Sequence, residues 1–348
     1  MVESGVKTVS VIMPFFQRES GILIRSLNSV KMQAVPDGWR VEVILIDDGS
    51  PISAEEEMRG VAFSEPFRLK MIRTVNGGVG AARNRGLAEV ANAGSLIAFL
   101  DSDDAWPGDH LLRAIQAMEE GFDFYFTDNR RQGHHDSHCR SSYLPKTKAF
   151  LNESPQKSGF LEIAIERMVG LTLGEFPCQA STVVYRRCIN DRLFFNTELT
   201  FSGEDVLFFT TLVASVTRVC LDLDSVVECG GGVNIYFSNL TWGSPKYLAI
   251  TVDRLVMRHL IAERPYLSRV NKDLNGALLY GCRTDLAFHM LRDLLKRPTS
   301  AFREIKRLAR MAPAAALVLP LDMTRVAVGH LTRPRRCHDG EVYDKADV

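Results

Sequence analysis

The sequence predicts an α/β fold, a doubly wound sheet with a C-terminal helical extension, and three observations carry that prediction. Short β-branched runs, several apolar nearly throughout, alternate with amphipathic stretches between residues 8 and 128, as buried parallel strands alternate with crossover helices. Acids close several of these runs, at the strand ends where an open α/β sheet places its ligand crevice. Beyond Trp242 the pattern changes to long, basic, amphipathic helices.

The strands are expected at Thr8–Met13, Val41–Asp47, Leu69–Val75, Leu96–Asp101 and Phe122–Asp128. Between them, Leu23, Leu27, Val30 and Ala34 follow one helical face. Val79–Ala93 is rich in helix formers, and Leu111, Leu112, Ile115 and Met118 repeat the pattern until Gly121 stops it. The polar stretch Asn129–Lys148 is expected to be a mobile loop. Ala180–Tyr185 then reads as a strand, Glu204–Ser215 as a helix and Val216–Leu221 as another strand, before helices at Tyr247–Ala262, Leu274–Leu295 and Ala301–Met311. A boundary is placed near residue 240: a catalytic domain over 1–240, with halves of about 1–128 and 129–240, and a basic helical region over 241–348.

The 348 residues are 46% hydrophobic and 24% charged, which excludes a disordered chain, a collagen-like sequence and a small disulfide scaffold. With 42 Lys and Arg against 42 Asp and Glu, the net charge is zero, so no nucleic-acid partner is expected. The zero is a cancellation, because residues 241–348 hold 19 basic and 11 acidic side chains. Seven widely spaced cysteines without a C-x-x-C pair fit a reducing compartment. No signal-peptide pattern opens the sequence, and its longest apolar stretches, Val206–Val216 and Met311–Leu321, fall short of the roughly 18 residues of a membrane span. A cytoplasmic protein is expected.

Three acid sets could carry chemistry. Asp47 and Asp48 end the second strand, and Asp101, Asp103 and Asp104 end the fourth. Carboxylates crowded there repel one another unless a divalent cation neutralises them, commonly Mg²⁺ or Mn²⁺ shared with substrate phosphates. The plainer alternative is that they are helix caps and Asx turns. Glu204 and Asp205 open an apolar helix, where acids complement the helix dipole and one could act as a general base. The glycine-rich segment Asn76–Gly86 lies between a strand and a helix. Its backbone N–H groups suit an anion, and Arg83 or Arg85 could face a diphosphate, although turn chemistry is the default explanation of a lone glycine loop. His134, His135, His138 and Cys139 are zinc-competent residue types without a matching second half, and a polar loop is the simpler account.

Together V-S-V-I-M-P-F-F (Val9–Phe16), I-L-I-D-D-G-S (Ile44–Ser50), N-G-G-V-G-A-A-R-N-R-G (Asn76–Gly86), F-L-D-S-D-D-A-W (Phe99–Trp106) and S-G-E-D (Ser202–Asp205) resemble family 2 glycosyltransferases, an inverting family with the GT-A fold. The resemblance implies a mixed doubly wound sheet and a nucleotide-diphospho-sugar donor. It places Pro14, Phe15, Asp47 and Asp48 at the base and ribose, Arg83 near the nucleotide, and Asp101-Ser102-Asp103 as the D-x-D motif. Asp103 would be the principal ligand of Mn²⁺ or Mg²⁺, Asp101 or Ser102 would face the ribose, and Asp205 would be the catalytic base with Glu204 beside it.

The Q-x-x-R-W signature of processive synthases is absent, so single sugar additions are expected. Pro14–Leu23 and Gly232–Gly243 look like bacterial exopolysaccharide glucosyltransferases of succinoglycan type, which implies UDP-glucose as donor and a lipid-linked oligosaccharide acceptor. Trp242 could stack on an acceptor sugar or simply pack in an interface. The segment Lys296–Arg336, with ten basic residues against Glu304 and Asp322, reads as a solvated helix face or as a peripheral contact with an anionic membrane. Two rival functions are a sugar nucleotidyltransferase, whose Gly-rich loop after the first strand is replaced here by Pro14-Phe-Phe-Gln, and a non-catalytic sugar-nucleotide or polysaccharide-binding module, against which the intact acid sets argue.

Overall fold

A computed structural model describes residues 6–90, 95–140, 144–149, 159–231 and 242–332. Its strands are β1 (Lys7–Phe15), β2 (Trp39–Asp47), β3 (Phe67–Arg73), β4 (Leu96–Phe99), β5 (Phe124–Arg131), β6 (Leu161–Ile163), β7 (Val183–Arg186) and β8 (Val219–Cys229). The helices are α1 (Leu23–Lys31), α2 (Ala54–Glu57), α3 (Val79–Ala88), α4 (His110–Glu119), α5 (Pro145–Lys148), α6 (Ile165–Gly174), α7 (Glu204–Val213), α8 (Pro245–Ala262), α9 (Arg269–Lys296), α10 (Pro298–Met311) and α11 (Pro313–Thr332).

The strands form one eight-stranded sheet in the order β3-β2-β1-β4-β7-β5-β8-β6. The chain steps outward from β1 through β2 to β3, then returns to place β4 on the other side of β1, all four parallel. That reversal opens a crevice at the C-terminal ends of β1 and β4. Antiparallel β7 joins β4 to β5, and antiparallel β6 edges β8, which makes the sheet mixed.

Side chains alternate across β1. Val9, Val11, Met13 and Phe15 enter a core with Leu23 and Leu27 of α1 and Leu111 and Ile115 of α4, whereas Ile12 faces the opposite core. On that second face Gly86 lets α3 approach the sheet, since a Cβ there would sit 2.5 Å from Cγ2 of Ile12. Phe195 and Phe208 stack at 3.9 Å, and Phe99 meets both edge-on. The same core continues through Leu248, Val252 and Val256 of α8, Leu286 and Met290 of α9, and Leu308 of α10. The C-terminal helices and the sheet therefore share one apolar interior.

Several elements differ from expectation. β4 stops at Phe99, so Asp101 begins a loop. β8 runs past Leu221 to Cys229 although it contains Asp222. Burial of that acid is compensated by Arg113, whose Nη2 donates to Asp222 Oδ1 at 2.7 Å, and by the Tyr125 hydroxyl at 2.8 Å. Asn129–Arg131 extends β5, and the described remainder of Asn129–Lys148 includes a 3₁₀ turn and α5 rather than loop alone. The apolar run Met311–Leu321 is divided between the ends of α10 and α11, where Arg283 takes up Asp322 bidentately at 2.8 and 2.7 Å. Among the described residues no helix is long and apolar enough to cross a membrane. Most of the Gly232–Gly243 motif lies outside the described residues.

Candidate active site

The crevice acids fall into groups with different partners. Asp47, at the end of β2, accepts the Ser50 N–H at 2.7 Å and the Ala54 N–H at 3.0 Å. Asp48 accepts from Gly77 N at 2.9 Å and Gly78 N at 2.8 Å, and its own N–H is taken by the Phe15 carbonyl. The glycine segment therefore does gather backbone N–H groups around an anion, and the anion is Asp48. Gly78, at φ +86°, caps α3 in a backbone conformation that disfavours a side chain. The Phe15 ring is fully buried in the core, with its carbonyl turned to this loop.

At the end of β4 the acids crowd. Asp104 is buried and accepts from Gln179 Nε2 and Gly230 N, both at 2.9 Å. Burial first, then the charges of Asp101 and Asp103, push its carboxyl up to about 7. Ser102 is buried and receives a hydrogen bond from Gln17 Nε2 at 3.1 Å, while the Ser26 hydroxyl donates to the carbonyls of Ser102 and Asp104. Ser181 accepts the Asp101 N–H at 2.9 Å. Gly230 lies so close that a Cβ would fall 2.1 Å from the Asp103 carbonyl. Asp103 lines a cavity of about 420 Å³ with Arg18, Arg25, Gln132 and Gly231.

Arg83 joins this loop to the third acid set. Its guanidinium is buried, donates to Asp101 Oδ1 at 2.8 Å, and lies 3.8 Å from Glu204 Oε1 and 5.3 Å from the Phe195 ring centre. Burial works against its charge, but Asp101, Glu204 and Asp205 together hold its pKa above the ordinary arginine value. Gly203, at φ +90°, turns the chain into α7, whose first two residues are Glu204 and Asp205. Burial and then the Asp205 charge push Glu204 up to about 8, against the pull of Arg83. Asp205 is also raised, by burial, with Arg83 opposing. Both carboxyls of the pair are therefore raised by burial, with Arg83 opposing in each case.

Arg83, Asp101, Glu204 and Asp205 are therefore brought together, with Ser102 and Asp103 on the adjoining loop. Among the described residues no three His, Cys, Asp or Glu side chains form a closed metal cage. The concentration of acids at Asp101–Asp104 instead suits a divalent cation that takes one or two protein carboxylates and completes its shell with substrate phosphates. Trp242 stands apart, ahead of α8, 66% exposed and packed against Phe288 and His289 of α9, with Arg292 5.0 Å from its ring centre. Cys139 is buried, its N–H is bonded to Asp128, and burial raises its thiol pKa, which disfavours the thiolate that zinc needs.

Two supporting residues escape any local motif. Asp253 of α8 accepts from Phe201 N at 2.7 Å and Ser202 N at 3.3 Å, and pairs with Arg307 of α10. The signal available in sequence was a lone acid in the apolar run Leu248–Val256, a position that demands a partner.

The model of the family described as glycosyl transferase family 2 matches residues 10–175. The succinoglycan biosynthesis protein ExoW of Rhizobium meliloti (strain 1021) is 35% identical over 244 residues, 69% of this chain and 74% of that protein. Several further curated relatives are matched over about half their length or less. Among solved structures, S. aureus TarS 1-349 in complex with UDP-GlcNAc superposes with a TM-score of 0.57 at 16% identity, covering 95% of this chain and 93% of that one. A mannosyltransferase from Pyrobaculum calidifontis, in complex with GDP-Man and Mn²⁺, gives 0.53 at 15% identity over 93% and 87%.

Proposed function

The chain belongs to glycosyl transferase family 2, and from that premise we propose that it is an inverting, metal-dependent hexosyltransferase. It moves glucose from UDP-glucose to a hydroxyl of a growing, lipid-linked exopolysaccharide repeat unit, one sugar per encounter. The observation that carries the reading is the convergence of Arg83, Asp101, Glu204 and Asp205 from three separate segments at the sheet's switch point. A binding module has no need of a buried carboxylate pair whose pKa values are both raised beside a buried arginine.

Asp205 accepts the proton of the acceptor hydroxyl, whose oxygen attacks the anomeric carbon from the face opposite the leaving nucleoside diphosphate. Configuration inverts. Glu204, protonated near neutrality, limits like-charge repulsion beside the base, and Arg83 holds Asp101 and the acid pair in one frame. Pro14, Phe15, Asp47 and Asp48 shape the base and ribose side, the two acids by fixing the loops that follow β2 and precede α3. Asp103, with Asp101, would hold Mn²⁺ or Mg²⁺, which supplies Lewis-acid stabilisation of charge on the departing diphosphate.

Support for the donor comes from two fold neighbours whose complexes contain UDP-GlcNAc and GDP-Man with Mn²⁺, and support for the pathway from the succinoglycan biosynthesis relative. The exposed Phe302, Leu317 and Leu321, beside Arg303, Lys306, Arg310 and Arg325, suit peripheral docking on the cytoplasmic face of an anionic membrane, where a lipid-linked acceptor resides. In this reading residues 1–240 form the catalytic domain and 241–348 its basic helical region, with Trp242 offering a stacking surface for the acceptor.

The test is release of nucleotide from a panel of UDP- and GDP-sugars, with Mn²⁺, with Mg²⁺ and with chelator, in the presence and absence of lipid-linked acceptors. UDP-glucose turnover that requires a divalent cation and rises with acceptor is expected. Equal turnover in chelator would overturn the metal assignment, and preference for a GDP-sugar the donor assignment.

A further inference from the structure

The segment that delivers Glu204 and Asp205 to the crevice is held from behind by the C-terminal helices. Asp253 is fully buried on α8, and one of its oxygens accepts both the Phe201 N–H at 2.7 Å and the Ser202 N–H at 3.3 Å. Its other oxygen pairs with Nη2 of Arg307 on α10. Arg307 also donates to the Glu198 carbonyl at 2.8 Å and to Thr200 Oγ1 at 3.3 Å, and its guanidinium lies 6.0 Å from the Phe201 ring centre. Glu304, one turn earlier, approaches Arg307 Nη1 at 3.4 Å. Met257, one turn after Asp253, fills the space over Gly203, where a Cβ would lie 3.0 Å from its Cγ. Residues 198–203 are therefore gripped on backbone carbonyl, backbone N–H and side chain by two helices distant in sequence.

We propose that Asp253 and Arg307 are positioning residues for the transfer reaction, which set the register of the Glu204–Asp205 pair against Arg83 and thereby make the helical extension part of the catalytic unit. This rests on the reading of Asp205 as the base. A buried ion pair is a costly way to obtain stability alone, since desolvation consumes much of its Coulombic gain. Its placement is intelligible where a loop must be held to a fraction of an ångström, because a misplacement of about 1 Å lowers turnover by roughly 100-fold. Neither residue needs to touch donor or acceptor.

The experiment compares the full chain with Arg307→Met, Arg307→Lys and Asp253→Asn, using UDP-glucose and Mn²⁺. It reads kcat and donor KM for nucleotide release, melting temperature, and hydrogen exchange at the Phe201 and Ser202 amides. Arg307→Met is expected to lower kcat by about 10- to 100-fold with donor KM within about twofold, and to speed exchange at both amides. Arg307→Lys, which keeps the charge, recovers part of kcat. Wild-type kcat in all three variants would overturn the proposal, as would a fall in kcat matched by an equal loss of donor affinity. If Arg307→Met does not fold, Arg307→Lys and Asp253→Asn carry the same comparison. Asp205→Asn, run alongside, separates the two ideas. Full activity of that variant defeats the base assignment, whereas its inactivity beside a wild-type Arg307→Met defeats the positioning role alone.

Discussion

Asp47 and Asp48 at the end of β2 look in sequence much like Asp101, Asp103 and Asp104 beyond β4, yet their surroundings differ in kind. The first pair is taken up by backbone N–H groups of its own and the neighbouring loop, two for each carboxylate. In the second set like charge crowds in: Asp104, although it accepts from Gln179 and Gly230, is raised by burial and by Asp101 and Asp103, while the buried Arg83 pairs with Asp101 and lies beside Glu204. An acid at a strand end is thus defined by its donors. Where N–H groups saturate it, it builds the frame; where charge outweighs donors, it is poised to bind a cation or move a proton.

Removing the cation should show this contrast most strongly. Arg83→Met leaves Asp101, Glu204 and Asp205 without their buried counter-charge, and about 3–5 kcal/mol of stability should be lost; urea unfolding that changes by less than 1 kcal/mol would mean the acids do not depend on it. On the other side of the crevice, Asp48→Ala deprives Gly77 and Gly78 of their acceptor and should cost about 1–3 kcal/mol, read by the same unfolding curve. A change as large as that of Arg83→Met would erase the distinction between the two regions.

A smaller effect sharpens it through pH. Asp205 and Glu204 are both raised, so on the proposed role of Asp205 as base turnover should fall as pH drops through a value above the ordinary carboxylate range. A rate that stays flat down to about pH 4 would contradict the shift.

Much of this was visible in the sequence for a physical reason: β1, β2 and β4 are buried on both faces, so their apolar runs and closing acids mark the sheet and its crevice without tertiary knowledge. Glycine chemistry was less transparent. Gly77 and Gly78 surround Asp48, and Gly86 admits Ile12, two roles that one glycine-rich string cannot distinguish. β8 continues beyond the expected Val216–Leu221 because Arg113 and Tyr125, about a hundred residues earlier, make burial of Asp222 tolerable. Asp253 shows in the sequence as an acid in need of a partner, but that the partner is Arg307 and the held segment Phe201–Ser202 is not legible, since both lie across a long stretch of chain.

The most direct test of the account is the Asp205→Asn variant, with nucleotide release from UDP-glucose and donor affinity measured on the same folded sample. Loss of a general base predicts a fall in kcat of about 10²- to 10⁴-fold with donor affinity held within about twofold. Wild-type turnover in Asp205→Asn would contradict the assignment of the base and, with it, the mechanism built on the Arg83-centred acid cluster.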